Sequence, residues 1–148
     1  MLNLSFSGHV VKGEGIATGL GCPTANIAVT EGVIIPGLGV YVGEAKFDGK
    51  SFPAVICIND GRTGLFLKME VHLVSVDPGN LDGKFMQVNL FEKIRDLLTW
   101  ESTEQMRELV AGDLHSVREW FIKHQDIYPD YAKIATQPLA ECEKTYGE

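Results

Sequence analysis

The chain has 148 residues, of which 45% are hydrophobic and 22% charged, with a formal net charge of −7. That length fits one domain, spanning 1–148, with a single sizeable core, and the acidic balance argues against a protein that grips nucleic acid through phosphate contacts. No run of about 18 apolar residues could cross a membrane, and the opening MLNLSFSGHV lacks the basic and apolar regions of a signal peptide. Cys22, Cys57 and Cys142 are an odd, widely spaced set, and His9, His72, His115 and His124 are scattered. Reduced thiols in a cytoplasmic protein are therefore expected, without a cysteine–histidine metal cluster.

Strand-like segments fill the first two thirds. Leu2 to Val11 opens with Leu4 and Phe6 alternating against Ser5 and Ser7. Gly13 to Ile27 follows, GEGIATGLGCPTANI, with Gly13, Gly15, Gly19 and Gly21 ahead of a Cys22-Pro23-Thr24-Ala25-Asn26 turn. Successive N–H groups in such a loop can form an anion-binding nest, although it fits neither the P-loop nor the G-x-G-x-x-G pattern, and a plain turn is the alternative. Thr24 and Asn26, two residues apart, would point to one face of an extended segment. Their side-chain oxygens suit Mg²⁺, which prefers oxygen ligands and keeps waters and phosphates in its shell.

Gly39 to Phe47 and Ser51 to Asn59 flank Asp48-Gly49, a type I′ hairpin signal, and Pro53 places the start of the second strand at an edge or bulge. Leu65 to Val76 is the longest predicted strand, and Lys84 to Glu92 runs back after an Asp77-Pro78-Gly79-Asn80 turn. In the Leu65 to Val76 strand, Leu67, Met69, Val71 and Leu73 share a core face, whereas Lys68, Glu70 and His72 share the other. That second face is either a solvated sheet surface or the setting of a general base, which a phosphoryl acceptor hydroxyl needs within hydrogen-bond reach. Arg95 and Trp100 come next. An exposed ion pair of Arg95 with Asp96 or Glu92 and a core role for Trp100 stand against a site for a planar heteroaromatic ligand.

The period then changes. Ser102 and Gln105 form a capping box, and Met106, Leu109, Val110, Leu114, Val117 and Phe121 follow at helical spacing to about His124. Tyr128-Pro129 ends this helix, and a helical tail follows. Five or six strands joined by short turns (about 1–100), then a helical part (about 102–148), predict a mainly β fold: a small antiparallel barrel with a helix against it.

These motifs, in this order, resemble the riboflavin kinase family from Gly8 to about Phe121. The resemblance rests on Leu20-Gly21-Cys22-Pro23-Thr24-Ala25-Asn26, Pro36-Gly37-Leu38-Gly39-Val40-Tyr41, Glu70-Val71-His72-Leu73, Leu81-Asp82-Gly83, Arg95 and the capped helix. It implies a six-stranded antiparallel, Greek-key-like barrel with a long C-terminal helix, and transfer of the ATP γ-phosphate to riboflavin, giving FMN. Glu70 would be the base, and Thr24 and Asn26 would hold Mg²⁺, with Zn²⁺ or Mn²⁺ as substitutes. Gly13, Gly15, Thr18, Gly19, Gly21, Pro23, Thr24, Asn26, Leu73, Ser75 and Asp82 would line the nucleotide. Arg95 and Trp100, with Glu70, would meet the flavin. The partners implied are the two small-molecule substrates, acting on a monomer.

The chain departs from the family pattern at Ile16-Ala17-Thr18, where members carry Arg or Lys, and at Asp82, where they carry an aromatic residue. Cys57-Ile58-Asn59-Asp60-Gly61-Arg62-Thr63 and Arg95-Asp96-Leu97 only loosely echo the family's runs. A barrel that binds flavin or nucleotide without turnover is the alternative these departures favour. Bacterial relatives often fuse an adenylyltransferase that makes FAD. Gly8-His9 is not its H-x-G-H motif, so this sequence is expected to stop at FMN.

Overall fold

Alternating in–out side chains close six strands into a barrel in the computed structural model, which describes residues 4–11, 25–28, 37–59, 68–76, 80–99, 101–140 and 143–146. The strands are β1 (Leu4–Val11), β2 (Ala25–Ala28), β3 (Gly39–Phe47), β4 (Lys50–Asn59), β5 (Lys68–Leu73) and β6 (Phe85–Arg95). They close in the order β1-β2-β5-β4-β3-β6, every pair antiparallel, with β6 returning to β1. Helix α1 (Thr103–Lys123), helix α2 (Pro129–Ala135) and a 3₁₀ turn (Glu143–Tyr146) follow. The predicted β-barrel with a C-terminal helix is the observed architecture. The short β2 begins at Ala25 and Asn26, the last two residues of the segment read from sequence as a turn.

Two apolar cores result. Phe6, Val10, Ile27, Tyr41, Ile56, Ile58, Met69, Val71, Leu73, Met86, Val88 and Leu90 fill the barrel. Val40, Val42, Val55, Val74 and Phe91 face outward against Leu114, Val117, Trp120, Phe121 and Ala135 from the helices. The barrel therefore has one outer wall that is apolar and covered by helix, which is why β3 is buried along most of its length rather than at alternate residues.

Local chemistry sets the ends of these elements. Asp48 and Gly49 take φ values of 52° and 72°, as the mirror-image hairpin turn requires. Pro53 lies just outside the β4–β5 ladder, which begins at Ala54 opposite Leu73, so its missing N–H interrupts no bond to β5. The Ser102 hydroxyl accepts from the Gln105 N–H at 3.1 Å, as expected of the capping box. The reciprocal bond lands one residue earlier than predicted, with the Glu101 N–H donating to Gln105 Oε1 at 2.8 Å. Pro129 occupies the first turn of α2, where a missing N–H costs nothing.

The strand predicted over 65–76 ends at Leu73 rather than Val76, its residues 65–67, Leu67 among them, lying outside the described residues, and the last strand runs to Arg95 rather than Glu92. Register shifts between Val40 and Tyr41 and between Val42 and Gly43 bend the β3–β6 pair. They let consecutive residues Phe91 and Glu92 both reach Trp120, one by ring stacking at 5.7 Å and the other by accepting from its Nε1 at 2.9 Å.

Gly43 is required by this close approach. A Cβ there would press on the Asn89 carbonyl oxygen and lie 2.6 Å from Ile56 Cδ1, whereas one at Gly112, on α1, would meet nothing within 4 Å. Gly43→Ala should therefore lower unfolding free energy by about 1–3 kcal/mol, as overpacking does. Gly112→Ala should raise it by about 0.8–1 kcal/mol through helix propensity. Urea denaturation of the two variants checks both signs.

Candidate active site

The hydrogen-bonded register draws a single row of residues around the barrel. Asn26 on β2 lies opposite Glu70 on β5, Glu70 opposite Cys57 on β4, Cys57 opposite Val40 on β3, and Val40 opposite Arg95 on β6. Directly opposed residues of antiparallel strands share a face. Here that face is the outer one, because the neighbours Ala25, Ile27, Met69, Val71, Ile56 and Ile58 belong to the interior core. The alternation expected along β5 is observed, with Met69, Val71 and Leu73 inside. The opposite face is not a solvated sheet surface throughout: His72 is 9% exposed and Glu70 half-buried, while Lys68 is exposed.

Asn26 and Glu70 are thus adjacent although they lie far apart in sequence. Asn26 is itself 9% exposed, so an amide and a carboxylate share a sheltered patch. Burial pushes the Glu70 carboxyl above the ordinary glutamate value, and Lys68 on the same face pulls it part of the way back. A carboxylate raised in this way holds a proton more tightly than one in water, which is what a proton acceptor for a hydroxyl requires.

Cys57 is half-buried, and its sulfur accepts from Asn59 Nδ2 at 3.8 Å. Burial pushes its thiol up to about 11, against the hydrogen bond from Asn59; Glu70 adds to the rise and Arg95 opposes it. At neutral pH it is a packed thiol rather than a nucleophile.

Arg95 ends the row in a forked ion pair across to α1. Its Nε donates to Asp113 Oδ1 at 2.7 Å, its Nη2 to Asp113 Oδ2 at 2.8 Å, and its Nη1 to the Asp96 carbonyl at 3.0 Å. The exposed pairing of Arg95 with the Asp96 or Glu92 side chain is not what forms: the Asp96 carboxylate pairs with Lys93 instead. Burial raises the Asp113 carboxyl, and the bonds from Arg95 recover only part of that. Sequence reasoning passed over Asp113, although an acid between Val110, Leu114 and Val117 on an apolar helix face is a signal that a buried cation awaits it.

The remaining candidates are dispersed. Leu73 points into the barrel core. Ser75 follows β5 with a left-handed φ of 61°. Asp82 is exposed in the turn before β6, its N–H bonded to Asn80 Oδ1 at 2.9 Å. Gly13, Gly15, Thr18, Gly19, Gly21, Pro23, Thr24 and Trp100 lie outside the described residues.

No group of three or more His, Cys, Asp or Glu among the described residues is placed to hold a metal ion. The side-chain oxygen of Asn26 still suits a cation that takes one or two protein ligands and completes its shell with water and phosphate. Among the described residues no helix is long and apolar enough to cross a membrane.

A second polar cluster, which sequence reasoning missed, adjoins this face. Glu143 of the 3₁₀ turn is 0% exposed. It accepts from the Ser75 N–H at 3.1 Å, the Ala140 N–H at 2.9 Å and Arg118 Nη2 at 3.3 Å, and lies 2.9 Å from His72 Nε2. Nothing in the polar tail around Glu143 marks it out in sequence.

Comparison with known proteins bears on the family and the fold. The family model described as riboflavin kinase (Flavokinase) matches residues 1–121. A bifunctional riboflavin kinase/FMN adenylyltransferase of Escherichia coli K12 is 35% identical over 120 residues, covering 79% of this chain and 38% of that protein. The chain therefore spans well under half the length of that relative. A counterpart from Mycoplasma pneumoniae is 28% identical over 114 residues, covering 77% of this chain and 41% of its own length. Among solved structures, riboflavin kinase from Trypanosoma brucei superposes with a TM-score of 0.61 at 22% identity, covering 82% of this chain and 81% of that one. A chain described as a macrolide-efflux protein from Streptococcus pneumoniae gives 0.72 at 24% identity, covering 80% of this chain and 39% of its own. At such identities both likenesses concern the fold alone.

The buried carboxylate of Glu143 has a consequence in acid. Burial alone would raise its pKa, but the hydrogen bonds from His72, Ala140 and Ser75 and the charge of His72 outweigh this and hold it below its ordinary 4.5. A depressed carboxylate contributes stability that is present above the unfolded value and is lost as pH falls through the folded one. The urea midpoint should therefore drop as pH falls below about 4.5. Glu143→Gln should be less stable at pH 7 and show a shallower acid decline.

Proposed function

The chain belongs to the riboflavin kinase family, and we propose that it transfers the γ-phosphate of ATP to the 5′-hydroxyl of riboflavin, giving FMN and ADP. The observation that carries this reading is the pairing of Asn26 with Glu70, which brings two of the expected site residues side by side on one sheltered outer face.

In this reading Glu70 is the general base. Its carboxylate accepts the proton of the ribityl 5′-hydroxyl as that oxygen bonds to phosphorus and the bond to the ADP oxygen breaks. Burial supports the role by making Glu70 a better proton acceptor than an exposed glutamate. Asn26, with Thr24, would present oxygens to Mg²⁺, which when bound supplies neutralisation of the phosphate charge that builds during transfer. The glycine-rich segment Gly13 to Gly21, with Pro23, would cover the phosphates through its N–H groups. The Leu73 side chain is committed to the core, which leaves its backbone, with Ser75 and Asp82, to border the nucleotide.

Arg95 and Trp100 would meet the flavin, and the Asp113 fork would fix the guanidinium plane rather than leave it to search rotamers. Most of the rate enhancement would come from positioning and charge neutralisation, as is general for phosphoryl transfer.

The direct test is FMN formation from riboflavin with ATP and MgCl₂, followed by chromatography, with CTP and GTP, and Mn²⁺ and Zn²⁺, in parallel. Retained riboflavin or ADP binding without FMN would recast the chain as a binding barrel of this family. Glu70→Gln should preserve riboflavin binding and lower the single-turnover rate about 10²–10⁴-fold, the range of a lost general base; an unchanged rate would remove Glu70 from that role. Asn26→Ala should weaken MgADP far more than riboflavin in titration calorimetry. Equal losses for both would argue against a metal site there.

A further inference from the structure

Glu143 lies beyond the residues 1–121 that match the family, yet it is fully buried and bonded to the strand that carries Glu70. His72 is two residues from Glu70 on the same face of β5, about 7 Å along the strand. Ser75 lies just past the strand end with φ 61°, a conformation that a non-glycine residue keeps only when its surroundings fix it. Its N–H donates to the Glu143 carboxylate and its hydroxyl to the Ile134 carbonyl at 3.3 Å.

On the other side, Arg118 of α1 reaches the same carboxylate through Nη2 and the Ala135 and Gln137 carbonyls through Nη1, at 2.9 and 3.0 Å. Among the described residues the buried Arg118 Nε has no partner. A buried ionic cluster with an orphaned donor is a poor source of stability, because desolvation cancels most of the attraction; what it does supply is selection of one arrangement over others.

Strand β5 needs such a constraint. Among the described residues it runs for six, and on one side it pairs with the four of β2. We propose that Glu143 is a positioning residue: it clamps the carboxyl end of β5 to α1 and α2, and so holds Glu70 at the distance from Asn26 and the substrates that phosphoryl transfer needs. The proposal rests on the functional reading above. It makes the C-terminal segment a working part of the site without contact with any substrate.

The test is a single-turnover measurement on the full chain, saturated with riboflavin and mixed with MgATP in a rapid-quench instrument. The amplitude reports how much protein is folded and competent, and the rate constant reports geometry, so a purely structural role moves only the amplitude. Glu143→Ala should lower the rate constant about tenfold or more, since small misplacements of reacting groups cost that much. Glu143→Gln keeps acceptors for the Ser75 and Ala140 amides and should fall between Ala and wild type. Where Glu143→Ala does not fold, Glu143→Gln carries the test, with a rate constant ~3-fold below wild type expected on the same grounds. Rate constants equal to wild type, with or without lost amplitude, overturn the clamp alone. No FMN from the wild-type chain overturns the clamp together with the functional reading.

Discussion

The constraint on which the molecule depends is closure of the hydrogen-bonded ladder between β1 and β6, where Leu4 to His9 pair with Leu90 to Phe85. Closure joins the two end strands of the sheet and alternates side chains between inside and outside, except at the bulge where Phe91 and Glu92 both turn outward. The inside becomes one apolar core. The outside is divided between an apolar wall under the helices and a polar wall where Asn26, Glu70 and His72 stand. A one-residue slip at β5 would bury Glu70 in the barrel and expose Val71. The same pattern that fills the core therefore fixes which groups are available for chemistry.

Much of this was legible from residues alone. The Asp48-Gly49 hairpin, the alternation along β5 and the Ser102 cap each depend on a few adjacent residues, and local rules describe them well. The pairing of Asn26 with Glu70 is different, because it depends on which strands become neighbours, and β2 is too short to announce itself as a strand. The resemblance to a family, rather than the periodicity, brought those two residues together before the register did.

What the sequence hid were the buried charges. Asp113 stands on the apolar face of its helix, a cue easily passed over, whereas tail composition does not single out Glu143. Each is identified by a partner distant in sequence: Arg95 on the last strand for Asp113, and His72 and Arg118 for Glu143. These links tie the helical layer to opposite ends of one outer face. The layer is more than a cover for apolar surface, since it determines how two cationic side chains, Arg95 and Arg118, are aimed.

The β3–β4 hairpin has a consequence of another kind. Its tip at Asp48-Gly49 is exposed, and a Cβ added at Gly49 would meet nothing within 4 Å. Seven residue steps along β4 lead from Lys50 to Cys57, which at about 3.3 Å each puts the tip roughly 23 Å from the Glu70 row. The barrel can thus be gripped at one end while the other stays free. An affinity tag or a surface tether attached at this tip would immobilise the protein with its polar wall turned toward solution.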